Sequence, residues 1–313
     1  MEKLFRAVDE PVPGDFSRLW VDESRGFVAN WYAKADHIPD PEECRRRVGA
    51  HMPEMLGLFD TLAGFAGDDP AMIAALAGID PPPLIPAGCT VRAFTQPRPT
   101  MHRNYDFHTD ATAAIILRTG WCGRGVLGMS EGVSGLLDGV NDAGVTVALT
   151  FGGRHVYGSG FSIVQIIRYL LQVADDVDDA EEVLHRVPCA WAHNVIVQDK
   201  SGKSLRAELA PDRAPLVGAG NAVANHQADV APRPDSARRL DTACTLVDDA
   251  ETARAVFVEG LLRKQDFDDW LGTLYTAEYV PGEGKATFHW RNGSWDQSLT
   301  QFDPGERRVV YPA

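Results

Sequence analysis

Gly88-Cys89-Thr90-Val91-Arg92-Ala93-Phe94-Thr95 marks a change in the character of the chain. Before it, Asp80-Pro81-Pro82-Pro83-Leu84-Ile85-Pro86-Ala87 is extended and short of backbone donors, which suits an exposed connector. After it, Thr90 to Thr95 alternates and is rich in β-formers, so it reads as a strand whose first residue is Cys89. If the peptide bond before Cys89 is cut, one residue holds both a thiol nucleophile and an α-amine. That amine titrates near pH ~7.7 to 8.0 and can take the thiol's proton at neutral pH. Glycine at 88 would let its carbonyl take the strained geometry that attack by a thiol needs. Read alone, Cys89 fits a small buried hydrophobe at least as well.

The rest of the chain changes that balance. His102-Arg103-Asn104-Tyr105-Asp106-Phe107 follows, then Gly139-Val140-Asn141-Asp142-Ala143-Gly144-Val145-Thr146-Val147, then Ala224-Asn225-His226. In this order and spacing the stretches resemble the acyl-coenzyme A:6-aminopenicillanic acid acyltransferase family, a relative of choloylglycine hydrolase and acid ceramidase. The resemblance implies an N-terminal-nucleophile hydrolase: an α+β protein with a four-layer αββα sandwich and a helical N-terminal segment. It also implies self-cleavage between Gly88 and Cys89. Residues 1–88 would become a helical α chain and residues 89–313 a catalytic β chain, the two packing as one globular unit. Cys89 would then cleave an amide or thioester through an acyl-enzyme and pass the acyl group to water or an amine. No cofactor and no metal are implied.

Site residues follow from the same resemblance. Asp106 matches the aspartate that hydrogen-bonds around the nucleophile and its amine. Arg103 matches an arginine of the choloylglycine branch that holds the thiolate, and a cation beside a cysteine lowers its pKa. Asn225 matches the oxyanion-hole asparagine. Thr150 stands where relatives often carry an asparagine lining that hole, and its hydroxyl can still donate. A further site arginine is expected in Ser236-Ala237-Arg238-Arg239, with Arg239 favoured over Arg238. Side chains alternate along a strand, so Arg103 and Asp106 should face opposite sides unless the strand bends or begins between them. Pro97 and Pro99 make a late start reasonable.

Composition narrows the function classes. The 313 residues are 44% hydrophobic, enough for one large domain or two small ones. Thirty basic against 44 acidic residues give a net charge of -14, which repels phosphate backbones and anionic lipid surfaces. Nucleic acid and membrane are therefore not expected partners; a small-molecule acyl amide or thioester is. The start, Met1 to Glu10, has no apolar signal region, and five scattered cysteines form no disulfide framework, so the expected location is cytoplasmic. His102, His108, His185 and His193 lack metal-ligand spacing.

Along its length the chain should start helical and turn mixed after Cys89. Asp40-Pro41-Glu42-Glu43 caps a helix that Pro53 should kink or split, and Asp69-Pro70 starts another. Strands are expected at 146–151, 193–197, 204–209 and 222–224, with helices around Ile163–Val173 and after a cap at Asp178-Asp179. Thr273–Ala277 and Thr287–Trp290 should form a hairpin across Pro281-Gly282-Glu283-Gly284. Two other readings stay open. One is a cysteine peptidase with an internal Cys89 and His226 as base; the other is a binding protein on the same fold with weak turnover.

Overall fold

The structure, a computed structural model, describes residues 1–83, 88–132, 134–265, 267 and 271–312. Among these, the larger sheet is built from β1 (Glu2–Glu10), β4 (Ile115–Thr119), β5 (Val126–Glu131), β6 (Gly135–Asn141), β7 (Val145–Phe151), β8 (His193–Asp199), β9 (Ser204–Leu209), β10 (Leu216–Ala219) and β15 (Gly305–Val310). Their order is β10-β9-β8-β7-β6-β5-β4-β1-β15, antiparallel except for the β1–β4 pair. The smaller sheet has the order β11-β2-β3-β12-β13-β14, from β2 (Gly88–Phe94), β3 (Thr100–Phe107), β11 (Ala222–Val223), β12 (Gly272–Val280), β13 (Lys285–Trp290) and β14 (Gly293–Ser298).

Helices cover both outer faces. α5 (Ile163–Val173) and α6 (Val177–Arg186) pack on the larger sheet, while α7 (Pro234–Thr245) and α8 (Ala250–Val258) pack on β2 and β3. The two sheets meet where β2 lies against β7 and β8, so the layers read αββα. α1 (Asp15–Tyr32), α2 (Pro41–His51), α3 (Leu56–Ala66) and α4 (Pro70–Ala77) pack on one another and reach α5 through Tyr169, whose hydroxyl donates to Glu54 at 2.5 Å. No helix among the described residues is long and apolar enough to cross a membrane.

Local chemistry accounts for the element boundaries. Asp40 Oδ1 accepts from the Glu43 amide at 2.8 Å and Asp69 Oδ1 from Met72 at 3.1 Å, each with a proline following at the first helical position. Pro53 ends α2 and opens a single 3₁₀ turn before α3, the split its ring demands. The hairpin of β12 and β13 forms around Pro281–Glu283 as its turn residues require. The cap of α6 is Asp176, two residues earlier than the sequence suggested, because its side chain reaches the amides of both Asp178 and Asp179.

Two expectations are corrected. The chain opens on a strand, β1, not on a helix: its short, charge-rich alternation finds partners on both sides, β4 and the C-terminal β15. The connector is only partly exposed. Pro81 and Pro82 are buried because their carbonyls accept from the indoles of Trp191 at 3.2 Å and Trp31 at 2.9 Å. Leu84 to Ala87 lie outside the described residues.

Candidate active site

β2 and β3 set the frame. Their register places Cys89 opposite Tyr105, Gly88 opposite Asp106 and Val91 opposite Arg103, with Cys89 the second residue of its strand. Residues directly opposite share a face. Cys89, Arg103 and Tyr105 therefore look into the gap between the sheets, and Gly88, Thr90, Asn104 and Asp106 lie on the face covered by α7 and α8. No bend or late start separates Arg103 from Asp106, since β3 is regular throughout. The irregularity sits next door, where a bulge at Leu274 in β12 lets Thr273 oppose Asp106 and Tyr275 oppose Tyr105. Without that extra residue Thr273 and Tyr275 would share a face.

On the inter-sheet side, Arg103 Nη2 donates to Cys89 Sγ at 3.4 Å. Its Nη1 donates to Asp138 of β6 and to the Tyr275 hydroxyl at 3.0 Å. Tyr275 donates to Asp138 Oδ2 at 2.7 Å, and Tyr279 donates to Asp138 Oδ1. All of these side chains are buried, so the carboxylate and two phenols hold a desolvated guanidinium against the thiol. Burial pushes the Cys89 thiol above its ordinary pKa; Arg103 pulls it down, Asp106 pushes it up and Arg239 pulls it down.

The backbone of Cys89 is held from the other direction. Its amide donates to Asn225 Oδ1 at 2.8 Å, and its carbonyl accepts from Arg239 Nη1. The same nitrogen donates to Thr90 Oγ1 at 2.7 Å, while Nη2 donates to Asn225 Oδ1 at 2.7 Å and Nε to Asp235 at 2.8 Å. Arg239 is buried; Arg238 is exposed and pairs with Asp235 and the Leu261 carbonyl. One turn of α7 thus points one arginine inward and its neighbour outward.

Asn225 is carried by a segment that Thr150 and Asn194 fix. Thr150 Oγ1 donates to the Ala224 carbonyl at 2.7 Å, and Asn194 Nδ2 donates to that carbonyl at 2.9 Å and to the His226 carbonyl at 3.1 Å. The hydroxyl proton of Thr150 is thereby committed to Ala224. Asn225 Nδ2 reaches the Phe151 carbonyl at 3.3 Å. His226 Nδ1 meets Ser236 Oγ at 2.8 Å, and the Cys89–His226 pair that a papain-like enzyme needs is not made.

Asp106 lies beside Gly88. Its Oδ1 accepts from Thr273 Oγ1 at 2.6 Å, while Oδ2 is buried with no hydrogen-bond partner. Gly88 is not at positive φ, so its glycine serves the close approach of Asp106 and not a strained carbonyl. The motif from Gly139 to Val147 is a hairpin turn: Asn141 Oδ1 accepts from Val145 at 2.8 Å, and Gly144 takes φ +88°. His102 is packed between Phe94 and Phe257 and pushed down to about 4 by burial. No group of three His, Cys, Asp or Glu among the described residues could hold a metal ion.

Sequence reasoning missed Asp138, Asn194, Ser236, Thr273 and Tyr275. Asp138 left a signal, a lone carboxylate in the apolar run Leu136-Leu137-Asp138-Gly139-Val140. The others are ordinary residues whose roles depend on register.

No curated protein matches the sequence. In fold, the chain is similar to a conjugated bile acid hydrolase mutant from Clostridium perfringens, with a TM-score of 0.51 and 11% identity, covering 72% of this chain and 97% of that one. It is also similar to penicillin V acylase from Agrobacterium tumefaciens (TM-score 0.49, 14% identity, 68% and 87% covered). The Caenorhabditis elegans ortholog of N-acylethanolamine-hydrolyzing acid amidase aligns with a TM-score of 0.44 and 16% identity, over 62% of this chain and 93% of that one. The αββα layering is that of the N-terminal-nucleophile hydrolases. The sequence model described as acyl-coenzyme A:6-aminopenicillanic acid acyl-transferase matches residues 94–295, a span that begins after Cys89 and holds Arg103, Asp106, Thr150, Asn225 and Arg239. With close to two thirds of its length matched, the chain belongs to the acyl-coenzyme A:6-aminopenicillanic acid acyl-transferase family.

Proposed function

We propose that the protein is a self-processing cysteine amidohydrolase or acyltransferase with Cys89 as nucleophile. One observation carries the reading: three side chains converge on a single residue, Arg103 at the Cys89 thiol, Asn225 at its amide and Arg239 at its carbonyl. A structural cysteine does not require a cation at sulfur and two polar groups on its own peptide.

In the first reaction Sγ attacks the Gly88 carbonyl carbon. The Gly88–Cys89 C–N bond breaks, the thiol proton passes to the departing Cys89 nitrogen, and a thioester joins Gly88 to Sγ. Water opens it to a Gly88 carboxylate and a free thiol. The new α-amine is the base that an isolated thiol lacks, and Asp106 Oδ2, across from residue 88, is the carboxylate that would receive it. The same sulfur then attacks a substrate amide or thioester, with the Asn225 amide stabilising the tetrahedral oxyanion. The leaving group takes the proton from the amine, and water or an acceptor amine releases the acyl group.

Residues 1–88 and 89–313 would stay together as an α/β heterodimer. β1 belongs to the first piece, yet it lies between β4 and β15 of the second. Losing it would open a buried sheet and expose edges. The test is intact-mass analysis of the purified chain beside Cys89→Ala. Fragments of 1–88 and 89–313 in the wild type only support the reading, and an uncut wild type refutes self-processing.

A further inference from the structure

A small, partly open cationic recess lies beyond Asp106, walled by Arg263, Lys264, Phe267, Thr273, Arg291 and Tyr311. No carboxylate is among its described walls. Arg263 is only 8% exposed, and its Nη1 is buried without a hydrogen-bond partner. Its Nη2 reaches only the Thr273 carbonyl, at 3.5 Å. The side chains of Lys264 and Arg291 make no ion pair among the described residues. By contrast, Arg103 and Arg239, the buried guanidiniums at Cys89, each have a carboxylate partner, Asp138 and Asp235. A desolvated guanidinium with an unused N–H costs stability unless something accepts from it. Phe267 and Tyr311, edge to face at 5.6 Å, add an apolar wall beside the cations.

From this arrangement we propose that the recess is an oxyanion-binding site, taking a carboxylate or phosphate on Arg263 with Lys264 and Arg291 at its mouth. A planar fork of donors fits either group, and the aromatic wall fits a small organic body attached to it. The site adjoins the catalytic machinery by one link, because Thr273 donates to Asp106 and accepts from the Lys264 amide at 2.8 Å. An anion bound there offsets the charge of Arg263, which is electrostatically coupled to Asp106 on the face of the sheet opposite the Cys89 thiol, so the site is separate from the place where sulfur meets an acyl group. Asp266, Asp268 and Asp269 lie outside the described residues, and binding is measured on the full chain.

The experiment uses the Cys89→Ala chain, so that binding is read without turnover and does not depend on the proposed reaction. Inorganic phosphate and benzoate are titrated separately by calorimetry at constant chloride. Saturable binding of phosphate alone supports a free anion as occupant; binding of benzoate with little phosphate supports a carboxylate carried on an organic ligand. Arg263→Gln should weaken either by at least about tenfold. The double variant Lys264→Gln/Arg291→Gln, which alters exposed or half-exposed side chains and should fold, should weaken it several-fold. Arg98→Gln, a distant surface cation paired with Glu283, should leave it unchanged. Absence of saturable binding for both probes overturns the proposal, as does binding that ignores the recess variants.

Discussion

Gly88 faces Asp106 so closely that a Cβ on residue 88 would lie 2.9 Å from Asp106 Cβ and 3.2 Å from Oδ2. Asp106 cannot retreat without giving up its hydrogen bond from Thr273. Gly88→Ala should therefore push β2 from β3, destabilise the fold by about 1–3 kcal/mol and slow self-cleavage. A time course of intact mass after expression reads the rate. Cleavage as fast as in the wild type would mean that Asp106 yields and takes no part in positioning the bond.

Arg103 and Asp138 form a buried pair that bridges the two sheets at the thiol. Removing one partner strands the other charge, so Asp138→Ala should cost about 3–5 kcal/mol in urea unfolding. Arg103→Gln tests the chemistry. Because Arg103 pulls the Cys89 pKa down, its loss raises that pKa further, and alkylation of Cys89 by iodoacetamide should slow at neutral pH with its rate profile displaced to higher pH. An unshifted profile would show that the guanidinium is structural only.

Arg239 and Asn225 hold the Cys89 peptide as a unit. Asn225→Ala should lower turnover by about 10² or more. Arg239→Lys, which keeps the charge but cannot span Cys89, Thr90 and Asn225 at once, should also lower kcat. Arg238→Ala should change stability by less than about 0.5 kcal/mol and leave kcat alone, as an exposed ion pair predicts. Equal losses at 238 and 239 would contradict the burial difference.

What the sequence made legible divides along a physical line. Proline, capping and turn chemistry act locally, so α2, its break at Pro53, α4 and the β12–β13 hairpin could be read before any coordinate. The sequence left positions 238 and 239 open, and only the packing of α7 turns Arg239 inward and Arg238 outward. The strand β1 was not legible, because its stability comes from β4 and β15, distant in sequence. The supposed conflict between Arg103 and Asp106 came from looking at one strand. The two do face opposite sides of β3, and the bulge at Leu274 in its neighbour lets Thr273 reach Asp106 on one face and Tyr275 reach Arg103 on the other; bulges leave no mark in residue type here.

His102 predicts how the fold responds to acid. Its imidazole sits between Phe94 and Phe257, and burial holds it down to about 4 despite Glu278 at 3.8 Å. His193 is likewise pushed down to about 4 by burial. In the unfolded chain both titrate near ~6.5. Between these values the unfolded state binds more protons than the folded one, so stability is complete above pH ~6.5 and falls as pH drops toward 4. Each histidine can contribute on the order of 3 kcal/mol to that fall. Urea midpoints measured at half-unit steps from pH 7 to 4 should decline throughout this window, and His102→Gln should make the decline shallower. A midpoint that stays level down to pH 5 would mean that these rings are protonated without cost in the fold, against the burial seen for both.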